Sequence, residues 1–137
     1  MDPAAFSAFT IAEQELDAGI VAEFRGVVTN IGEHFNSAYS SFVCPYSGIY
    51  MFNIAAMTSD EDYDLNLGLF KDDDLLLDLY AHNTGFNNRR SGGQFVITEC
   101  TQGQTVVVKC RDDTDLLYGD FIYRRSAFTG TLLYQYH

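Results

Sequence analysis

Two pairs of adjacent arginines are the first residues whose chemistry stands out. Arg89-Arg90 and Arg124-Arg125 supply four of the eight lysine and arginine residues in the chain. A guanidinium group donates paired hydrogen bonds to a carboxylate or phosphate, so each pair predicts recognition of an anion such as sialic acid, a lipopolysaccharide phosphate or an acidic protein surface. The candidate ligand-binding residues are Asn87, Asn88, Arg89, Arg90, Tyr123, Arg124 and Arg125.

A second explanation of these arginines is internal charge neutralisation. The chain carries 19 Asp and Glu residues and a net charge of −11, so the arginines have aspartates to neutralise within or between subunits. This excess of acid favours the second explanation for each pair. If the first holds, we expect Tyr118, Phe121 and Tyr123, which lie beside Arg124, to contact the ligand.

Aspartate clusters are candidates for a metal site, because calcium prefers carboxylate oxygens. Asp60, Asp62 and Asp64 match the first ligands of an EF-hand loop. However, Leu65 stands where that loop needs glycine, and Lys71 where it needs a bidentate glutamate. The segment is therefore not an EF-hand.

Asp112 and Asp113, together with Asn88, remain as weak candidate metal ligands. Aspartate is also common in solvated turns, where its side chain bonds to backbone N–H groups. The solvated turn is the favoured explanation for each cluster. Apart from a calcium ion, no cofactor is predicted.

The sequence does not indicate an enzyme. The three histidines, His34, His82 and His137, are scattered, and none has a nucleophile or carboxylate at a recognisable spacing. The sequence also lacks a nucleophile elbow, a P-loop and a zinc motif. We therefore expect a binding protein.

Composition and charge restrict the class of protein and its partners. A chain of 137 residues with 47% hydrophobic and 15% aromatic residues is typical of one folded domain over residues 1–137. No apolar run approaches the roughly 20 residues that span a bilayer, so membrane insertion is not expected. The net charge of −11 excludes nucleic acid and acidic membranes as expected partners, because those surfaces repel it.

The three cysteines, Cys44, Cys100 and Cys110, form an odd set at spacings unlike a zinc site. Residues 94–100 and 104–111 read as a hairpin around a turn at residues 102–103. In that register the sulfurs of Cys100 and Cys110 are too far apart to bond. We therefore predict unpaired, buried thiols.

Short apolar runs separated by turn residues, with almost no helical periodicity, predict an all-β protein. About eight to ten short strands without intervening helices favour an antiparallel β-sandwich, and a Greek-key or jelly-roll topology is the common arrangement. The predicted strands cover residues 5–10, 21–28, 35–42, 49–57, 63–71, 75–80, 94–100, 104–111 and 128–136.

The strand at residues 49–57 is apolar on both faces. Alternation places Tyr50 and Phe52 on one face and Ile49 and Met51 on the other. One face of an antiparallel sheet normally meets water, so a second subunit is the simplest cover for the outer face. We predict that Ile49, Tyr50, Met51 and Phe52 supply subunit contacts.

Residues 24–52 resemble the signature of the C1q globular-head domain. The matching residues, at the spacing of that signature, are Phe24, Asn30, Phe35, Phe42, Gly48, Tyr50 and Phe52. Further matches lie at Leu69-Phe70-Lys71, at Ser91-Gly92-Gly93 and in the closing FTGTLL of residues 128–133. Ile54, where the signature prefers an aromatic residue, and Gln104, where an aspartate is usual, are departures, and residues 1–137 contain no Gly-X-Y repeat.

This resemblance implies a jelly roll of about ten strands, similar to that of tumour necrosis factor and assembled as a homotrimer. It also implies a secreted, non-enzymatic binding protein. Members of the family sometimes bind calcium, at positions that correspond here to residues 80–82 and Asn88. In this chain amides and an imidazole replace the carboxylates expected there.

The functional expectation is a trimeric pattern-recognition protein of innate immunity. It binds microbial surface glycans, lipopolysaccharide or sialic-acid-type ligands, with avidity multiplying weak single sites. One alternative is a signalling or adhesive ligand for a cell-surface receptor, as in adipokine-like and cerebellin-like relatives. Another is an acidic matrix protein that binds cations.

Overall fold

The computed structural model describes residues 2–59, 63–83, 89–111 and 115–137. These ranges contain twelve β-strands and no α-helix. The strands are β1 (Ala5–Phe9), β2 (Gln14–Leu16), β3 (Gly26–Ile31), β4 (Phe35–Asn36), β5 (Ser41–Val43), β6 (Gly48–Met57), β7 (Leu65–Lys71), β8 (Asp74–Ala81), β9 (Ser91–Cys100), β10 (Thr105–Cys110), β11 (Asp115–Leu117) and β12 (Ala127–Gln135).

Ten of these strands form two antiparallel five-stranded sheets. One sheet has the order β3-β1-β12-β6-β9, and the other has the order β4-β5-β10-β7-β8. Strands β2 and β11 pair separately. The sheets pack as a jelly-roll sandwich, so the all-β prediction with about ten strands is confirmed. Within the described ranges, no helix has the length and apolarity needed to cross a membrane.

Strand β6 shows why the first sheet forms a layer of the core. Tyr50, Phe52 and Ile54 alternate along the strand and are almost completely buried between the sheets. Ile49 and Met51 lie on the opposite face and are half-buried. The strict alternation keeps this register, because a slip of one residue would move every core side chain to the outside.

The centre of the core is a cluster of phenylalanine rings. Phe6 of β1 stacks on Phe35 and Phe42, with centroid separations of 4.6 and 4.9 Å, and meets the edge of Phe128 at 4.8 Å. Gly130 of β12 makes room for this packing, since a Cβ atom there would lie 2.5 Å from the Phe6 ring. The aromatic residues of the 24–52 stretch are therefore chiefly core residues.

The hairpin predicted at residues 94–111 is wrong. The strands exist, but β9 pairs with β6 in one sheet and β10 pairs with β5 and β7 in the other. The turn at residues 101–104 therefore passes from one sheet to the other. Two runs close together in sequence look alike whether they pair with each other or each finds a different neighbour.

Two other predicted strands differ from the structure, and one strand was not predicted. The strand expected at residues 35–42 is divided into β4 and β5, which pair with each other. The strand expected at residues 21–28 begins only at Gly26, and Val21 makes an isolated bridge to Lys109. The polar segment at residues 14–16, where no strand was predicted, forms β2 against β11. Neither β2 nor β3 has a periodic apolar pattern. Each pairs with a strand that is distant in the sequence, so its bounds could not be predicted locally.

The cysteines are free and buried, as predicted. Cys44 follows β5 and Cys100 ends β9, and their side chains hydrogen-bond to each other across the sandwich. This hydrogen bond and burial raise the pKa of the Cys44 thiol. Cys110 lies apart from them, where its thiol approaches Asp115 Oδ2 at 3.4 Å.

Candidate ligand-binding site

The two arginine-containing segments converge at one end of the sandwich. Arg89, which precedes β9, places its Cζ atom 4.2 Å from the centroid of the Tyr118 ring, in the segment between β11 and β12. The neighbouring Arg90 is held through its backbone, because its N–H donates to Thr58 Oγ1 at 2.8 Å and its carbonyl accepts from Thr58 N at 2.7 Å. A fixed backbone beside Arg89 therefore positions this guanidinium group.

Asp120 organises the second segment. Its Oδ1 accepts the N–H of Ile122 at 2.7 Å, its Oδ2 accepts the hydroxyl of Tyr118 at 2.8 Å, and its carbonyl accepts the N–H of Arg124 at 3.0 Å. The hydrogen bonds from Ile122 N and the Tyr118 hydroxyl lower the pKa of Asp120. The carboxylate thus remains charged and keeps the turn closed.

The segment is also fastened to the chain that follows β1. Thr10 accepts the N–H of Asp120 on its carbonyl at 3.1 Å, and its hydroxyl donates to the carbonyl of Tyr118 at 3.1 Å. Gly119 allows this close approach, since a Cβ atom there would lie 2.2 Å from the carbonyl oxygen of Ala12. The loop therefore has a defined shape without being buried.

Aromatic rings support each of the three arginines. Arg124 Cζ lies 4.5 Å from the Phe9 ring centroid and 5.4 Å from that of Phe121, and Arg125 Cζ lies 4.6 Å from Tyr123. Such cation–π contacts contribute about 0.5–1 kcal/mol each at exposed sites and limit the guanidinium orientations. We name this set the arginine–aromatic cluster; it comprises Phe9, Arg89, Tyr118, Phe121, Tyr123, Arg124 and Arg125.

None of these guanidinium groups forms an ion pair with a carboxylate of the described residues. The ion pairs found there are Arg25–Glu23, Arg111–Asp78 and His82–Asp64. Internal neutralisation, the explanation favoured on composition, therefore does not describe Arg89, Arg124 or Arg125 within this part of one chain. All three arginines are exposed, in a protein whose net charge is −11.

The phenol of Tyr118 interacts with several charged groups of the cluster. The hydrogen bond to Asp120 raises the pKa of Tyr118, whereas the charges of Arg89 and Arg125 act in the opposite direction. Arg89 stacks on the Tyr118 ring, and the charge of Arg125, 36 positions later in the sequence, also acts on the pKa of this phenol. An anion at this point can accept hydrogen bonds from both segments.

The loop has an apolar tip, of which the sequence analysis singled out only two residues. Phe121, Ile122 and Tyr123 are 61%, 79% and 63% exposed. Phe121 and Tyr123 were expected to contact a ligand, but Ile122, Asp120 and Phe9 were not singled out. A signal was present for Ile122, since a run of three large apolar residues outside any strand has no core to enter.

Four of the candidate residues fall outside the ranges that the structure describes. These are Asn87 and Asn88, as well as Asp112 and Asp113. Arg90 is exposed beside Arg89, but its contribution to ligand binding stays a prediction.

The subunit-contact prediction needs one correction. Tyr50 and Phe52 are fully buried within one chain, so only Ile49 and Met51 have surface for a partner. On the adjacent strand β9, Phe95 and Ile97 are 65% and 57% exposed on the same face. The outer apolar surface is therefore broader than the sequence indicated, and it is centred on β6 and β9.

The described residues at the calcium position do not fit a calcium ion. Asp64 is the one carboxylate there, accepting from Tyr80 OH at 2.8 Å and pairing with His82 Nδ1 at 3.2 Å. Calcium takes six to eight oxygen ligands, and an imidazole is a poor substitute. Nowhere in the described ranges do three or more His, Cys, Asp or Glu residues assemble into a metal site. Calcium binding through Asn88, Asp112 and Asp113 stays a prediction.

Comparison with known proteins agrees with the fold. The C1q domain model matches residues 5–133. The mouse (Mus musculus) complement C1q tumor necrosis factor-related protein 7 is 30% identical over 111 residues, covering 81% of this chain and 37% of that protein. The chain spans less than half the length of the curated relatives it matches.

Solved structures show the same architecture. The globular domain of zebrafish complement 1qA superposes with a TM-score of 0.79 at 17% identity, covering 97% of this chain and 99% of that chain. The Eiger TNF of S. frugiperda gives a TM-score of 0.78 at 8% identity, covering 100% of this chain and 96% of that one. The likeness to these structures shows the fold alone, whereas the domain match and the mouse relative show that this chain belongs to the C1q domain family.

Proposed function

We propose that this chain is the recognition domain of a secreted, non-enzymatic protein that works as a homotrimer. The arginine–aromatic cluster binds anionic groups of microbial surface glycans or lipopolysaccharide. The observation that carries this proposal is the set of three ring-supported guanidinium groups without a carboxylate partner among the described residues. An exposed, unpaired arginine is ready to donate to an external anion.

The surroundings of the cluster favour an anion carried on a larger molecule. A free small anion gains little in water, because surface ion pairs contribute about 0–1 kcal/mol. Exposed rings such as Tyr123 add apolar contact with a sugar or lipid. Repetition of the site in a trimer multiplies a weak single affinity when the ligand is a repetitive surface.

Support for a trimer comes from the outer face of the first sheet. Phe95 and Ile97 protrude at the β9 edge, while Met51, Thr129 and Thr131 line an apolar groove further into the sheet. A protrusion and a groove at different places on one face suit a head-to-tail contact, which closes into a ring. Sedimentation at micromolar concentration is expected to give three chains per particle, and a stable monomer would contradict the trimer.

The binding proposal is tested with glycan and lipopolysaccharide arrays, with and without calcium. Arg89→Gln and Arg125→Gln are each expected to weaken binding several-fold, about fivefold for the loss of an exposed ion pair that contributes about 1 kcal/mol. Arg25→Gln is the matched control. It removes the same charge from an exposed arginine that pairs with Glu23 outside the cluster.

A second candidate function is that of a receptor ligand. The observation in its favour is the 30% identity to a C1q tumor necrosis factor-related protein. Saturable binding to a cell-surface receptor ectodomain, without binding to any glycan or lipopolysaccharide, would favour this candidate and sink the first. Equal binding by the cluster variants and the Arg25→Gln control would also sink the first, because the arginines would then play no part.

A further inference from the structure

The loop tip at residues 121–123 is an exposed apolar feature whose high exposure anion binding alone does not explain. We propose that this tip contacts the acyl chains of a phosphorylated lipid or glycolipid while the adjacent arginines bind its phosphate. The inference rests on the proposed function and narrows it from anions in general to acylated phosphates. It concerns shallow contact with a lipid surface and not a membrane span.

The exposure of the tip is the first observation in favour of an apolar ligand. Ile122 is 79% exposed, whereas Ile54 in the core is 1% exposed. Burial of apolar surface is the main favourable term in protein stability and association. An isoleucine left in water between two exposed aromatic residues gains most of that term when an external apolar group covers it.

The rigidity of the loop is the second observation. Asp120 accepts the N–H of Ile122 through its side chain and the N–H of Arg124 through its carbonyl. Arg124 Nε also donates to the carbonyl of Phe121 at 3.3 Å. These bonds hold the three tip residues in a projecting turn, so the apolar side chains are presented outwards by construction.

The third observation is that three arginines lie beside the tip. Arg124 and Arg125 follow the tip directly, and Arg89 is held on Tyr118 of the same loop. An apolar surface bordered by cations matches a molecule with acyl chains next to a phosphate. Tyr123 suits the boundary between them, since a tyrosine has an apolar ring and a polar end.

The overall charge decides which lipid surface fits. A net charge of −11 repels a densely acidic membrane, but charges separated by more than about 8 Å are largely screened at 0.15 M salt. A sparse phosphate within a neutral surface is therefore attracted by the nearby arginines, while its repulsion by carboxylates more than a screening length away is weak. This agrees with the expectation that acidic membranes are not the partner.

The test uses the full chain and exploits the absence of tryptophan. Ile122→Trp introduces one reporter at the tip. The probes are phosphatidylcholine vesicles with a minor fraction of phosphatidic acid, pure phosphatidylcholine vesicles, and acyl-free glucose 6-phosphate. We expect a blue shift of tryptophan emission, with quenching by brominated acyl chains, only with the vesicles that contain phosphatidic acid.

Affinity measurements separate this inference from the proposed function. Ile122→Ser is expected to weaken vesicle binding about tenfold and to leave glucose 6-phosphate binding unchanged. Ile20→Ser, at an isoleucine that is 52% exposed elsewhere, is the matched control and should change neither. Arg125→Gln should weaken binding to both probes.

Three results would overturn the inference. If Ile122→Ser binds the vesicles as well as the wild type does, the tip does not contact lipid, although anion binding stands. If the tryptophan emission of the Ile122→Trp variant is already blue-shifted without vesicles and depends on protein concentration, a second copy of the chain covers the tip. If no phosphate probe binds at all, both the inference and the anion site fail.

Discussion

Aromatic rings are used in opposite ways in the two regions of this molecule. In the core, Phe6 packs between the buried rings of Phe35 and Phe128 at centroid distances below 5 Å. In the arginine–aromatic cluster, Phe121 is 61% exposed and supports the guanidinium group of Arg124. The first region gains stability by excluding water, whereas the second leaves the rings of Phe121 and Tyr123 and its guanidinium groups exposed to water.

The difference lies in what holds each region in place. Core rings are fixed by the packing of other rings, so their positions depend on volume. The cluster depends on polar bonds from Asp120 and Thr10 to the loop backbone. Changes in the core should therefore have the larger effect on stability, whereas changes of exposed cluster side chains should alter binding and change stability by about 1 kcal/mol or less.

The largest expected effect on stability comes from removing Phe6, the ring at the centre of the phenylalanine cluster in the core. Phe6→Ala is predicted to lower the free energy of unfolding by about 3–5 kcal/mol, because it removes a buried ring and leaves a cavity. Phe121→Ala, at the exposed ring, is predicted to change it by no more than about 0.5 kcal/mol. Urea denaturation of both variants measures the contrast.

Equal losses for the two variants would contradict the different roles assigned to the buried and the exposed rings. A large loss for Phe121→Ala would mean that this ring is buried in the assembled protein, most simply by another subunit. Unfolding should then be followed over a range of protein concentrations, since a subunit contact makes the midpoint depend on concentration. A midpoint independent of concentration would place the loss within one chain.

The core could be predicted from the sequence because its signals are local. Leu65, Leu67 and Leu69 alternate along β7, and each is fully buried. Strand pairing was less accessible, as the false hairpin between β9 and β10 shows. A turn with polar residues joins two strands equally well within one sheet or across two sheets.

The candidate site was predictable in composition but not in arrangement. The sequence singled out Arg89, Arg124 and Arg125, yet it gave no reason to bring Arg89 onto Tyr118. That contact depends on where β9 and β11 lie in the folded chain. Phe9, which lies under the Arg124 guanidinium group, is 115 positions earlier in the sequence. Such a contact arises only in the folded chain, so no local sequence pattern predicts it.

A smaller effect is expected from the one polar group among the core rings. The Tyr50 hydroxyl donates to the carbonyl of Tyr46 at 2.6 Å and accepts its N–H at 3.2 Å. Tyr50→Phe is therefore predicted to lower the free energy of unfolding by about 1–2 kcal/mol at neutral pH, since both backbone groups lose a partner. Chemical denaturation measures the loss.

The pH dependence identifies the same group. Burial raises the pKa of Tyr50 from 10.0 to about 12, so the unfolded chain ionises at a lower pH than the folded one. The stability due to the neutral phenol is complete below pH 10 and is lost as the pH rises from 10 to 12. The difference between wild type and Tyr50→Phe should therefore shrink over that range, and a constant difference would contradict the assignment.

The smallest expected change in stability is at Arg124, which has a φ of 54°. A side chain in this left-handed region costs about 1–2 kcal/mol relative to glycine. The ring contacts that Arg124→Gly would remove contribute a similar amount. Arg124→Gly is therefore predicted to unfold within about 0.5 kcal/mol of the wild type, whereas Arg124→Ala, which keeps the unfavourable φ, should be about 1 kcal/mol less stable.

Both Arg124 variants are expected to lose anion binding by a similar factor on the lipopolysaccharide array, despite their different stabilities. Such a result would show that Arg124 acts through its charge. Glycine adopts this left-handed backbone conformation at least as easily, so the shape of the loop does not require an arginine here. Full anion affinity in Arg124→Gly would remove Arg124 from the site. The left-handed backbone would then have to be explained by the shape of the loop alone, with Arg89 and Arg125 as the remaining candidates for the anion.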